Sequence, residues 1–155
     1  MKAFYLLLSL CFLSCGKVKQ IDTSDIKEIM RNSKVKRVTE KQLLEKVSEI
    51  GEGMSTQLNG DYRVECQQVY AIDEHQVELY NASLVQPGTD VKGQLLEAYK
   101  YGIENGQHVS ANIQKFNDTL YIYSFPLRKE AYLKAVCGND FALVMISRAV
   151  VVKQL

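Results

Sequence analysis

The apolar residues between positions 38 and 58 recur at the spacing of one helix face. They lie three or four residues apart, the period of an amphipathic helix that packs one face on a core, and they are Leu43, Leu44, Val47, Ile50, Met54 and Leu58. Thr39 and Gln42 fit a capping box, with Val38 and Leu43 as its hydrophobic staple. The pattern predicts a helix over residues 38–58 that ends at Asn59-Gly60.

A second helical pattern follows the turn signal Pro87-Gly88. Its shared face consists of Val91, Leu95, Ala98, Tyr99, Gly102 and Ile103. Thr89 or Asp90 can cap its start, and Asn105-Gly106 supplies a left-handed exit.

The pattern between these helices is mixed. In residues 62–72, Val64, Cys66, Tyr70 and Ile72 suit a strand, whereas Tyr62, Cys66, Val69 and Ile72 suit a helix. Periodicity leaves both open. Residues 76–85 are predicted to be extended.

The last third of the chain gathers β-branched and aromatic residues into short runs, which predicts a sheet. Residues 112–116 and 119–125 flank Asn117-Asp118, a predicted hairpin that Pro126 closes. Residues 135–137 and 141–146 flank Gly138-Asn139-Asp140, a second predicted hairpin. Helices first and antiparallel strands later indicate an α+β domain.

The amino terminus has the pattern of an export signal. Lys2 precedes an apolar run over residues 3–13, and Ser14 lies directly before Cys15. At about 1.5 Å per residue the run would span roughly 16 Å, against a hydrocarbon core of about 30 Å. It therefore resembles a processed bacterial lipoprotein signal whose Cys15 thiol is acylated and becomes the first mature residue.

Two details bear on that prediction. Phe12 replaces the usual leucine of the lipoprotein motif, and Cys11 is a competing acceptor that follows the bulky Leu10. An ordinary secretory signal is the alternative. Gly16, rather than aspartate, after the cysteine favours the outer membrane, with the domain facing the periplasm.

The predicted organisation is a signal peptide over residues 1–14, a lipidated tether over residues 15–37 and one domain over residues 38–155. A net charge of +1 over 155 residues gives no field that would favour nucleic acid. Export places the domain in an oxidising compartment, where disulfides persist. Cys66 and Cys137 are the two thiols that remain, and spacing alone does not show that they meet.

Four stretches and a final apolar strand carry a family resemblance. They are Val64-Glu65-Cys66; Glu78-Leu79-Tyr80-Asn81 through Gln86-Pro87; Leu95-Leu96-Glu97-Ala98-Tyr99; Leu120 to Phe125 with Pro126; and Phe141 to Ser147. In order and spacing they resemble the periplasmic haem-binding PAS-like domain family, in which an N-terminal helical pair packs on a small antiparallel sheet. The resemblance implies that residues 62–72 form a helix.

One departure from that family concerns the haem. Members attach haem through Cys-x-x-Cys-His between the closing strands, but residues 134–140 hold one cysteine and no histidine. A haemless domain is therefore expected, and haem held noncovalently by Cys66 as axial ligand is the alternative. The resemblance also places Cys66 and Cys137 on opposite walls of one pocket, which implies a disulfide or a redox-active pair. Two buried, unpaired cysteines are the other possibility.

Other chemistry is sparse. His75 and His108 lie in polar surroundings and are expected to be exposed, and no nucleophile, base and orienting group can be assembled, so no enzyme is predicted. Tyr99, Tyr121 and Tyr123, with Tyr101 and Tyr132, would line a PAS-like pocket for a small ligand, or simply pack in the sheet.

Three hypotheses follow. The favoured one is a non-enzymatic lipoprotein, bound to the membrane by its lipid, with a haemless PAS-like domain that senses or binds a small ligand, an envelope protein or the redox state. The second is a haem-binding electron-transfer or haem-sensing protein. The third is a structural envelope lipoprotein.

Overall fold

Five antiparallel strands form a single sheet. The computed structural model describes residues 37–60, 62–86 and 88–155, and the strands are β1 Val69–Ile72, β2 His75–Tyr80, β3 Asn112–Lys115, β4 Leu120–Pro126 and β5 Phe141–Ser147. Their order across the sheet is β1-β2-β5-β4-β3. The last strand in sequence therefore lies at the centre, between β2 and β4.

The helices are α1 Glu40–Leu58, α2 Val91–Glu104, α3 Tyr132–Ala135 and α4 Arg148–Lys153, and a short 3-10 helix covers Ala82–Leu84. Helix α1 precedes the sheet, so the domain is an α+β fold, as predicted. Val38–Leu155 forms one compact unit. The predicted signal over residues 1–14 and the predicted acylation site Cys15 lie outside the described residues.

Helix α1 begins as its sequence predicts. The Thr39 hydroxyl accepts a hydrogen bond from the Gln42 N–H at 3.3 Å, and Gln42 Oε1 accepts one from the Thr39 N–H at 3.0 Å. These two bonds satisfy backbone donors that the first turn of a helix leaves unpaired. The buried face holds Leu43, Val47, Gly51, Met54 and Leu58, while Leu44 is exposed.

The sheet is buried on both faces. Alternate residues of β4 face opposite sides: Tyr121, Tyr123 and Phe125 join the core cluster with α1, while Ile122 joins the cluster with α2 and the 3-10 helix. Strand β5 is buried along most of its length for the same reason. The domain thus has a helical layer on each face of the sheet.

Helix α2 also follows its prediction. The Asp90 carboxylate accepts a hydrogen bond from the Gly93 N–H at 2.7 Å, and Gly106 leaves the helix at a φ of +64°. Leu95, Tyr99 and Gly102 are buried as predicted, and Ile103 is half-buried. Val91 and Ala98 of the predicted face are exposed, and Leu96 is buried.

Two predicted elements are wrong. Residues 62–68 form neither helix nor strand, and 69–72 is strand β1, so the helix implied for residues 62–72 is absent. Pairing with β2 outweighs the helical spacing there. Residues 135–137 are not a strand either, because α3 and its last turn occupy them, so the second hairpin does not form.

The remaining predictions for the sheet hold in part. The hairpin of β3 and β4 is confirmed, and the Asn117 side chain accepts a hydrogen bond from the Thr119 N–H at 2.8 Å in its loop. The extended segment predicted over residues 76–85 ends at Tyr80, because Asn81 caps the 3-10 helix. Among the described helices, none has the length and apolar character needed to cross a membrane.

Candidate functional site

A groove of about 530 Å³ opens where β1 and β2 meet the 3-10 helix and the loop after α3. We call it the disulfide groove. One wall, the Cys66 wall, is the run Cys66, Gln67, Gln68 and Val69; the facing wall, the Cys137 wall, contains Cys137 and Asn139. Glu78, Tyr80, Leu84, Val85 and Leu96 complete the lining, with Leu79, Asn81 and Gln86.

A covalent bond joins the two walls. Cys66 and Cys137 form a disulfide with an S–S distance of 2.07 Å and a Cα–Cα distance of 5.3 Å. Of the alternatives that the sequence left open, the structure thus contains the bridge rather than two unpaired thiols. Cys66 is exposed and Cys137 is half-buried, and both line the groove.

The floor of the groove carries a buried carboxylate. Glu78 is 8% exposed, and Lys92 Nζ lies 2.5 Å from its Oε2. The Tyr80 hydroxyl also donates to that oxygen, and Gln76 Nε2 donates to Oε1 at 3.0 Å. Lys92 further lies 5.8 Å from the centre of the Tyr80 ring. Both oxygens of the carboxylate are thus engaged by a neighbour.

These contacts set the protonation states. Burial would raise the pKa of the Glu78 carboxyl, but the hydrogen bonds from Lys92 and Tyr80 outweigh it and lower the pKa. Burial and the adjacent carboxylate raise the pKa of Tyr80. Burial would lower the pKa of Lys92, but the contact with Glu78 outweighs it and raises the pKa. At neutral pH the cluster holds one carboxylate, one ammonium and one neutral phenol.

The Cys137 wall is fixed to the end of β2. The Asn81 side chain donates to the Gly138 carbonyl at 2.7 Å, and Gly138 has a φ of +73°. The Asp140 carboxylate accepts from the Ala82 N–H and from Lys134 Nζ, each at 2.8 Å. The Asp140 N–H donates to the Tyr80 carbonyl at 2.7 Å.

The three tyrosines predicted to share a pocket do not do so. Tyr121 and Tyr123 belong to the core cluster with α1, whereas Tyr99 belongs to the cluster on the other face of the sheet. All three are at most 4% exposed. The Tyr121 hydroxyl donates to Glu40 Oε1 at 2.9 Å and the Tyr99 hydroxyl to the Ser110 carbonyl at 2.8 Å. Burial raises the pKa of Tyr99 to about 12.

The two histidines differ. His108 is exposed, as predicted, but His75 is only 7% exposed, which contradicts the prediction of a solvated residue. Its Nδ1 atom is buried, and none of the described residues forms a hydrogen bond with it. Strand β2 starts at His75, which pairs with Ile72, and His75 lines a cleft with Val150, Lys153 and Gln154. His75 lies at the end of β2 remote from the groove.

The groove does not fit the haem alternative. The Cys66 sulfur is bonded to Cys137 rather than free to ligate iron. None of the described residues that line the groove is a histidine or methionine, and the Tyr80 phenol is held neutral. In the part of the chain that the structure describes, no three His, Cys, Asp or Glu side chains are grouped to hold a metal.

Comparison of the chain with protein-family models, with curated proteins and with solved structures finds no match. The resemblance to PAS-like domains therefore stays a prediction.

The sequence does not predict the cluster of Glu78, Lys92 and Tyr80. Gln76 and Glu78 alternate with apolar residues in a predicted extended segment, a pattern typical of a solvent-facing strand surface, and only the fold brings Lys92 of α2 over it.

Proposed function

We propose that the protein is a lipid-anchored envelope protein whose haemless, PAS-like domain binds a small ligand in the disulfide groove and catalyses no reaction. The observation that carries this proposal is the groove itself, with a volume of about 530 Å³ and a lining that mixes apolar and polar groups. Small-molecule sites in proteins typically enclose about 300–1,000 Å³ with such a lining.

The lining favours a ligand that is small, largely uncharged and partly apolar. Val69 and Leu84 are 51% and 70% exposed, so they offer apolar surface that a ligand can cover. Gln67, Gln68 and Asn139 offer amide donors and acceptors beside that surface. Glu78 and Lys92 already form an ion pair with each other. A charged ligand would therefore gain little binding free energy from either of them.

The protonation states support a binding role rather than catalysis. General acid–base catalysis works best with a group whose pKa lies near the operating pH. The contacts in the floor of the groove move the pKa values of Glu78, Tyr80 and Lys92 away from neutrality instead.

The anchoring part of the proposal is supported by the amino-terminal sequence. The apolar run over residues 3–13 and Cys15 have the order of a lipoprotein signal. Intact mass measurement of the protein purified from the cell envelope tests it. A mature chain that starts at Cys15 and carries acyl chains is expected, and a chain that keeps Met1 would contradict it.

Ligand binding is tested by adding a library of small aromatic and amide fragments to the isotope-labelled protein and following backbone NMR shifts. Fragments should shift residues 66–69 and 78–86. The variant Val69→Trp places an indole in the groove and should abolish these shifts. Val152→Trp is the matched control, because Val152 is a similarly exposed valine, 45% exposed, on α4.

Two outcomes would contradict ligand binding. If no fragment shifts these residues, the domain has a structural role. If Val69→Trp binds fragments as well as Val152→Trp does, the ligand occupies another place.

A further inference from the structure

We propose that the Cys66–Cys137 disulfide is a redox-controlled link that holds the Cys66 wall in place. A dithiol reductant would cut the link, loosen the wall and lower the affinity of the groove for its ligand. The change in affinity rests on the proposed function, whereas the loosening of the wall does not require a ligand.

The two walls differ in their support. Six hydrogen bonds tie Gly138 and Asp140 to their neighbours, so the Cys137 wall does not depend on the disulfide alone. Three of the six reach Tyr80, Asn81 and Ala82, at the end of β2 or in the 3-10 helix.

The Cys66 wall has weaker noncovalent support. Residues 62–68 belong to no helix or strand. Tyr62 and Val64, which precede the wall, pack against the core cluster, whereas Cys66, Gln67 and Gln68 are exposed and belong to neither core cluster. The Tyr70 hydroxyl contacts the Glu65 carbonyl and accepts from the Gln67 N–H at 2.7 Å. The Gln68 carbonyl accepts from the Leu79 N–H at 2.8 Å. These bonds attach the segment to β1 and β2, and the disulfide attaches it to the opposite wall.

The two cysteines differ in access. Cys66 is exposed, whereas Cys137 is half-buried and packs against the core cluster. A thiolate can therefore reach Cys66 more easily than Cys137. Exchange rates depend on which sulfur is attacked and on access to it.

The reaction is thiol–disulfide exchange with a protein dithiol. One thiolate of the dithiol attacks Cys66 Sγ, the Cys66–Cys137 bond breaks, and Cys137 leaves as a thiolate that takes up a proton. The second thiol of the reductant then attacks the mixed disulfide and releases Cys66, which also takes up a proton. Two electrons pass to the cystine, and the dithiol becomes a disulfide.

Loosening of the wall reduces affinity because four consecutive lining residues, Cys66 to Val69, belong to it. A ligand that needs the ordered wall binds in proportion to the fraction of molecules in which the wall is ordered. If reduction leaves about a tenth of the molecules ordered, the affinity falls about tenfold.

Hydrogen exchange with mass spectrometry tests the link on the purified protein, before and after dithiothreitol under native conditions. Peptide mapping verifies which cysteines are reduced. Reduction should speed exchange in peptides over residues 62–69 more than in α1 and β4, where exchange rises only as far as the loss of global stability requires. The proposal is overturned if the bond resists reduction until denaturant is added, if residues 62–69 exchange equally in both states, or if exchange rises as much in α1 and β4 as in residues 62–69.

Two variants make the result specific. The double variant Cys66→Ser, Cys137→Ser should reproduce the exchange pattern of the reduced protein. Val47→Ala, which removes buried volume from α1, should raise exchange across α1 and the sheet and not in residues 62–68 selectively.

The fragment titration separates this proposal from the proposed function. Fragments that bind the oxidised protein about tenfold more tightly than the reduced protein support the link, and equal affinity overturns it. If fragments bind neither state, the proposed function fails, and hydrogen exchange alone decides whether the bond holds the wall.

Discussion

Replacing Gly51 by alanine should destabilise the domain, because α1 packs on β4 at this residue without space for a side chain. A Cβ atom at Gly51 would lie 2.2 Å from Cγ of Tyr123 and 2.3 and 2.5 Å from its two Cδ atoms. Tyr123 is 4% exposed, and Cγ is the ring atom next to its Cβ, so the ring cannot swing clear without moving the backbone or its neighbours.

The magnitude follows from two opposing effects. Alanine favours a helix interior over glycine by about 1 kcal/mol. Overpacking a core costs about 1–3 kcal/mol, and three contacts below 2.6 Å place Gly51→Ala at the upper end. The expected net loss is about 2 kcal/mol in the free energy of unfolding.

Gly53→Ala is the matched control, because among the described residues no atom beyond the adjoining turns of α1 lies within 4 Å of a Cβ at that residue. It should stabilise the domain by about 1 kcal/mol. Urea unfolding, followed by circular dichroism, measures both variants against the parent protein. If Gly51→Ala is as stable as Gly53→Ala, the contact between α1 and Tyr123 is not as described.

Three further predictions concern the groove and α2. Glu78→Gln should cost roughly 2 kcal/mol at about pH 7, since it leaves Lys92 without its counter-ion. Because the pKa of Glu78 is lowered from 4.5, its contribution is present above the unfolded pKa and is lost as the pH falls through the folded pKa. The variant should therefore lose less stability than the parent on acidification from about pH 6 to 3, measured by urea midpoints. The double variant Cys66→Ser, Cys137→Ser should lower unfolding stability by about 4 kcal/mol, the chain-entropy value for a sequence separation of 71, and a loss below 1 kcal/mol would contradict it. Asp90→Ala removes the cap of α2 and should cost about 1 kcal/mol in thermal or urea unfolding, whereas Asp118→Asn, in an exposed loop, should change nothing measurable.

The elements that the sequence predicts well are fixed by local contacts. The Thr39 capping box and the Asp90 cap involve residues three positions apart. Asn117 likewise orders the β3–β4 loop through a residue two positions away. Such contacts can be predicted from the sequence because their geometry depends on few residues that lie close together in the chain.

The elements that it predicts poorly depend on distant partners. Strand β1 pairs with β2, and that pairing decides between two periodicities that fit residues 62–72 equally. The turn of residues 135–137 is set by α3 and by the bonds of Asp140, not by the hairpin signal of Gly138.

The candidate site also depends on contacts between residues that are not neighbours in the chain, and the sequence alone did not predict them. The pairing of Cys66 with Cys137 was expected only through the family resemblance, because two cysteines at a separation of 71 residues carry no local sign of contact. The cluster of Glu78 and Lys92 was not predicted, since Lys92 lies 14 residues after Glu78 on a helix, and only the packing of that helix brings the two charges together.

Native mass spectrometry of the protein purified from the cells that make it tests the central claim most directly, that the disulfide groove holds a small molecule. The parent protein and Val152→Trp should each carry an additional noncovalent mass of a few hundred daltons, and Val69→Trp should lack it. The absence of any bound mass in all three proteins, or an equal bound mass in Val69→Trp, would contradict the account.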